Sequence, residues 1–239
     1  MRMNLIERLI HSLPKTISRF AEIGPGLGDT SLFVAQTFPE SRGDLFEFSQ
    51  ESVEILKHRT ANNSFLSVHS GDFRELDISS ESYDLVIACE VFEHLEDDES
   101  AFDTVRRMLR PGGYILLSVP AFMRKWQGAD EYAGHFRRYE RDELMGKFAR
   151  IGMRIHKMWC YGFPVTQLLS VPYRIYYGRQ LRANPLPKAE STKRSGSERT
   201  VARKFNRDLV VQMMKPLFLL QSLAKSTNIG DGYLVLAQK

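Results

Sequence analysis

Three glycines at alternate positions, Gly24, Gly26 and Gly28, fill the stretch AEIGPGLGDTS over residues 21–31, and an acid, Glu22, stands just before them. With no Cβ to hold it away, a ligand can lie directly on such a loop. A dinucleotide fingerprint reads GxGxxG and seats a pyrophosphate on the following helix. Here the spacing is GxGxG, and Asp29 stands where the third glycine would be. Glu22 repels a pyrophosphate and attracts a cation. Glu47 follows Gly28 by nineteen residues, the place from which a carboxylate accepts ribose hydroxyls. Asp72, in SGDF, offers an acceptor to an adenine amino group, with Phe73 to pack on the ring. Acceptors for ribose and adenine, an acid for a cation and no phosphate clamp together describe a site for a cationic sulfonium nucleoside, S-adenosylmethionine.

Methyl transfer from a sulfonium is an in-line displacement, so the protein has mainly to align acceptor, methyl and sulfur and to exclude water. That chemistry requires no metal, and no metal-ligand set is expected. A base helps when the acceptor is a hydroxyl that must lose its proton.

The elements that must position these residues follow from periodicity. Seven runs rich in β-formers punctuate the chain: SRFAEIG, DLFEF, FLSVHS, YDLVIA, YILLSVP, MRIHKMW and GYLVLAQ. The first five alternate with helical patterns, the signature of βαβ units around a parallel sheet. One helix has an acidic first turn from Glu96 to Glu99, an apolar stripe of Ala101, Phe102, Val105, Met108 and Leu109, and a basic end at Arg106, Arg107 and Arg110. These charges complement the helix dipole, and Pro111, Gly112 and Gly113 are expected to stop the helix and turn the chain. A second helix is expected from Glu140 to Arg150. At the N-terminus, Leu5, Ile6, Leu9, Ile10 and Leu13 mark a short amphipathic helix whose apolar run is broken by Glu7 and Arg8, unlike a signal peptide. The turn signal NIGDG before the last strand suggests that strands six and seven close as an antiparallel pair.

Taken in order, AEIGPGLG, DLFEFS, SGDF, YDLVIACEVFEHLED and LRPGGYILLSVP, over residues 19–120, resemble the class I S-adenosylmethionine-dependent methyltransferases, in particular the small-molecule branch that includes the ubiquinone and menaquinone biosynthesis enzymes. The resemblance implies an α/β fold, a Rossmann-like doubly wound sheet of seven strands in the order 3-2-1-4-5-7-6 with strand 7 antiparallel. It implies a cofactor site made by Glu22, Gly24, Gly26, Gly28, Glu47, Phe48, Asp72, Phe73 and Cys89. Near the methyl group it places His94, His135 and Tyr139 as catalytic candidates, with Glu90 close by and Arg137 or Arg138 as an anchor for an anionic acceptor. For His94 the plainer reading is a histidine packed at a helix start, and for His135 an ordinary loop contact. Cys89 lacks the partner cysteine of a cytosine C5 methyltransferase. Nor do Ala88 to Val91 read NPPY or DPPY, which argues against the DNA and glutamine amino-methylating enzymes.

The chain of 239 residues fits a single methyltransferase domain, with residues 161–229 as a basic, largely helical insertion between strands 6 and 7. Within it, a polar stretch near 187–200 is expected to be a flexible linker. Between Val165 and Asn228 stand twelve Lys or Arg against three acids, a local net of +9, while the rest of the chain holds 21 bases and 26 acids. Such a segment suits a lid over the site first, contact with an anionic membrane or lipid acceptor second, and an RNA backbone third. Two cysteines and no apolar run of membrane-spanning length predict a cytoplasmic protein, peripheral to a membrane at most. The expected activity is methyl transfer to a small-molecule or lipid-like acceptor at oxygen. The alternatives are an RNA or protein methyltransferase that grips its substrate with the insertion, and a noncatalytic cofactor-binding protein.

Overall fold

The computed structural model describes residues 2–14, 16–78, 80–167, 176, 179 and 220–239. Its strands are β1 (Arg19–Ile23), β2 (Arg42–Glu47), β3 (Leu66–Ser70), β4 (Tyr83–Cys89), β5 (Leu109–Pro120), β6 (Arg154–Tyr161) and β7 (Gly232–Gln238). They form one sheet in the order β3-β2-β1-β4-β5-β7-β6. Pairings from β3 across to β5 are parallel, whereas β7 runs antiparallel to both β5 and β6. This is the α/β Rossmann-like order expected from the sequence. The helices are α1 (Arg2–Ile10), α2 (Asp29–Thr37), α3 (Gln50–Thr60), α4 (Asp98–Met108), α5 (Gly128–Ala133) and α6 (Arg141–Arg150).

Both faces of the sheet are covered, which is why the central strands are continuous apolar runs and not alternating ones. In β4, Leu85, Ile87 and Cys89 pack with Leu5, Ile6, Leu9 and Ile10 of α1 and Val34 of α2. The intervening Val86 and Ala88 pack with Phe102, Val105 and Met108 of α4 and Phe148 of α6. Each fully buried side chain of this size contributes roughly 1.5–3 kcal/mol by leaving water. The amphipathic N-terminal helix is where the sequence suggested, and it seals the first of these faces.

Local chemistry sets the helix starts. The Asp97 side chain accepts from Ser100 N–H at 3.1 Å at the head of α4, and Glu140 begins α6 through a capping box with Glu143. The end of α4 departs from expectation. The helix stops at Met108, and Pro111, Gly112 and Gly113 lie within β5. Register explains this: Tyr83 pairs with Leu109 but Leu85 with Tyr114, so an irregularity between the two pairs takes up the proline and glycines without a separate turn.

Of the 161–229 segment, the two ends are described, and the linker near 187–200 together with Tyr173, Tyr177 and Phe205 lies outside the described residues. The ends are held to each other. Gly162 N–H donates to Gln221 Oε1 at 3.1 Å, and Cys160 N–H donates to the Lys225 carbonyl at 2.7 Å. Among the described residues no helix is long and apolar enough to cross a membrane.

Candidate active site

The C-terminal ends of β1, β2, β3 and β4 open into a cavity of about 370 Å³, the place where doubly wound sheets bind ligands. Gly24, Gly26, Glu47, Phe48, Asp72 and Phe73 line it at one end. Glu90, Val91, His94, Leu95, Glu96 and Phe136 line it at the other. All three loop glycines have positive φ, 62°, 55° and 75°. At Gly24 a Cβ would stand 2.6 Å from Val91 Cγ2, and at Gly26 it would meet nothing within 4 Å. The first glycine therefore lets the loop pack on the β4 turn, and the second leaves bare backbone open to the cavity.

Glu47 is the buckle of this loop. Its Oε2 accepts from Gly26 N–H at 3.1 Å and its Oε1 from Ser49 N–H at 2.9 Å. Asp72 reaches the cavity as half of an ion pair, with Arg74 Nη2 at 2.6 Å. Burial works to raise the Asp72 carboxyl, and the hydrogen bonds from Arg74 outweigh it and hold the group below its usual range. Arg74 was not anticipated. It sits two residues beyond Asp72 in an irregular turn, where no periodicity marks it.

Glu22 and Cys89 are placed differently from the expectation of cofactor contact. Strand alternation turns both to the α1 and α2 face, behind the loop and outside the cavity lining. Glu22 is buried, accepts a hydrogen bond from Ser31 Oγ, and is pushed by burial up to about 7. The buried Cys89 thiol is pushed up to about 12, which suits a packing residue and not a nucleophile. Gly28 heads α2 in a left-handed conformation and supports the loop from outside the lining.

At the far end, Glu90 has φ 58°, a strained value for a residue with a side chain. Its Oε1 accepts from Ser118 Oγ at 2.8 Å and Tyr161 Oη at 2.6 Å and pairs with Arg2 Nη1 at 3.1 Å. His94 lines the cavity, and the ring of His135 meets it edge to face with centroids 4.7 Å apart. Tyr139 is not brought to this group. It is fully buried and its hydroxyl donates to Asp98 Oδ2 at 2.8 Å, so it ties the chain after α5 to α4. Arg137 pairs with Asp98 at 2.8 Å and Arg138 with Asp130 at 2.8 Å, which commits both to structural contacts.

A protein-family model described as "Methyltransferase domain" matches residues 21–115, which hold the glycine loop, Glu47, Asp72 and His94. Residues 21–115 are thus similar to a methyltransferase domain. Over 97 residues the chain is 33% identical to the uncharacterized 37.1 kDa protein in transposon TN4556 of Streptomyces fradiae, covering 41% of this chain and 28% of that protein. It is 28% identical over 98 residues to malonyl-acyl-carrier-protein O-methyltransferase 2 of Ilyobacter polytropus, covering 41% of this chain and 38% of that one. The matches thus span well under half the length of these relatives. Among solved structures, phosphoethanolamine N-methyltransferase 2 of Haemonchus contortus, in complex with S-adenosyl-L-methionine, aligns with a TM-score of 0.62 at 16% identity, over 100% of this chain and 52% of that one. At that identity the likeness concerns the fold. It extends the shared fold beyond the matched segment to the antiparallel β6–β7 pair.

Proposed function

We propose that the whole protein binds S-adenosylmethionine in this cavity and transfers its methyl group to a small-molecule or lipid-like acceptor at oxygen. The observation that carries this reading is the division of one cavity into two ends. Glu47, Asp72 and Phe73 offer ribose and adenine contacts at one end, and His94 with Glu90 forms the other. A sulfonium held between them points its methyl toward the histidine end, where a hydroxyl acceptor can give up its proton. The malonyl-acyl-carrier-protein enzyme, by its name an O-methyltransferase, supports an oxygen acceptor. The cavity is apolar around Phe48, Phe73, Val91, Leu95 and Phe136, which suits a modest organic acceptor better than a charged polymer. On this reading the chain is a single domain, and the two described ends of the 161–229 segment meet beside β6.

The test is incubation with methyl-labelled cofactor and fractionated cell extract. Label is expected in small metabolites or lipids, in a product whose methyl ether survives mild base. Label in RNA or protein would overturn the acceptor class, and tight cofactor binding without any labelled product would make the protein a noncatalytic binder.

A further inference from the structure

Three cations gather around one indole on β6, the edge strand of the sheet. Lys225 Nζ lies 4.3 Å from the centre of the Trp159 ring, and Arg8 Cζ of α1 lies 5.7 Å from it. Lys157 is exposed two residues before Trp159, on the same face of the strand. The helical turn at 220–224 meets this group, because Arg8 Nη1 donates to Ser222 Oγ at 2.8 Å. That turn carries Leu220 and Leu223, which are 47% and 75% exposed. From this juxtaposition we propose that the face made by Arg8, Lys157, Trp159, Lys225 and the two leucines docks the protein on a membrane containing anionic phospholipid.

The charges are arranged for an anion. Among the described residues no acid forms an ion pair with Arg8, Lys157 or Lys225. Cations held together without a counter-charge repel one another. Burial first, and then the charges of Arg8 and Lys157, hold the Lys225 ammonium below its usual range. The indole face offsets part of this by attracting the two cations that lie over it. A lipid phosphate placed among the three would offset the rest.

The apolar side chains select the occupant. Leu220 and Leu223 stand three residues apart, so they share one face of the helical turn, and that face is open to solvent. A free phosphate or an RNA backbone offers leucine nothing. A bilayer takes leucine into its acyl boundary, an indole at its interface and basic side chains among its headgroups. Trp159 also stands two residues before Tyr161, about 7 Å along the strand. Tyr161 Oη donates to Glu90 Oε1 at 2.6 Å, at the acceptor end of the cavity. Resting on the methyl-transfer reading, docking through this face would bring that end of the cavity toward the layer from which a lipid-like acceptor is drawn.

The test floats the full chain with vesicles of phosphatidylcholine alone, and of phosphatidylcholine and phosphatidylglycerol mixed three to one, at low and at high salt. Co-flotation is expected with the anionic vesicles only, and it should fall as salt screens the charges. Lys157→Glu and Lys225→Glu each reverse one charge and should weaken partitioning roughly 25-fold, at about fivefold per unit charge. Leu223→Ser should weaken it roughly tenfold. Lys157 is exposed, so its variant keeps the test decisive if Lys225→Glu unfolds. Equal recovery with the two vesicles, or anionic binding unchanged in Lys157→Glu and Leu223→Ser, would overturn this face. Saturable binding of inorganic phosphate or of a single-stranded RNA oligomer without flotation would also overturn it, by giving the cations a soluble ligand. Calorimetry with S-adenosylmethionine on the same samples separates the two readings. Cofactor binding by a protein that never floats removes only the docking, and flotation without cofactor binding removes only the methyltransferase reading.

Discussion

The Glu47 carboxylate links two loops, accepting from the Gly26 N–H at 3.1 Å with one oxygen and from the Ser49 N–H at 2.9 Å with the other. A carboxylate oxygen has two lone pairs, so each can still accept from a ribose hydroxyl. The residue therefore shapes the loop while lining the cavity proposed to hold the ligand. Glu47→Ala is expected to weaken S-adenosylmethionine binding by about 1–3 kcal/mol through lost charge-assisted hydrogen bonds. Isothermal calorimetry reads this directly, and an unchanged affinity would remove Glu47 from the ribose site.

The order of the sheet was legible because each central strand is a short apolar run bounded by helical periods and turn residues. The glycine loop, Glu47, Asp72, Phe73 and His94 were legible because they stand at strand ends, and strand ends converge in this architecture. Which face Glu22 and Cys89 take was not. When both faces of a strand are buried the hydrophobic pattern loses its alternation, and the direction of a single polar residue is hidden. Tyr139 was misplaced for a related reason. An isolated bridge between Ala121 and Tyr139 turns its side chain toward α4, a contact no local pattern announces. The approach of Glu93, His135 and Asp130 likewise depends on two loops meeting, and the spacing of neither implies the other.

Buried Glu22 gives the protein a pH signature. Burial raises its folded-state value from 4.5 to about 7, so the folded protein holds a proton that the unfolded chain releases between those values. Stability is then greatest below the unfolded value and falls as pH rises through the window, by about 1.4 kcal/mol per pH unit at most. Denaturant unfolding at pH 5, 6 and 7 should show this slope, and Glu22→Gln should flatten it. A wild-type stability that rises steadily over the same range would contradict the assignment.

On the proposed function, the same group would sense the cofactor's charge from behind the glycine loop, without contact. A bound sulfonium and ammonium favour the ionised carboxyl, so binding below about pH 7 should release a proton. Affinity should then rise with pH up to about 7 and level off above it. Calorimetry in two buffers of different ionisation enthalpy measures the proton released, and a release of zero at pH 6 would separate Glu22 from the ligand.

Tyr139→Phe removes a buried hydroxyl from Asp98, which keeps Arg137 and Lys147 at 2.8 Å and 3.1 Å. The fold should lose about 1–3 kcal/mol, while kcat of the folded variant stays near the wild-type value because the phenol lies outside the cavity lining. A large fall in kcat with stability intact would return Tyr139 to the reacting group.

Gly24 and Gly26 share a left-handed backbone, at φ 62° and 55°, yet alanine should act differently at the two positions. Each substitution costs about 1–2 kcal/mol of backbone strain. At residue 24 the new methyl also falls 2.6 Å from Val91 Cγ2, so the β4 turn that carries Glu93 and His94 must shift and the fold is destabilised further. At residue 26 the methyl meets no protein atom within 4 Å and enters the space that the cofactor would fill. Gly24→Ala should therefore show the larger drop in Tm. Gly26→Ala should keep most of its stability and lose S-adenosylmethionine affinity at least tenfold. Equal binding loss at equal stability in the two variants would mean that the cofactor does not lie on the backbone of residue 26.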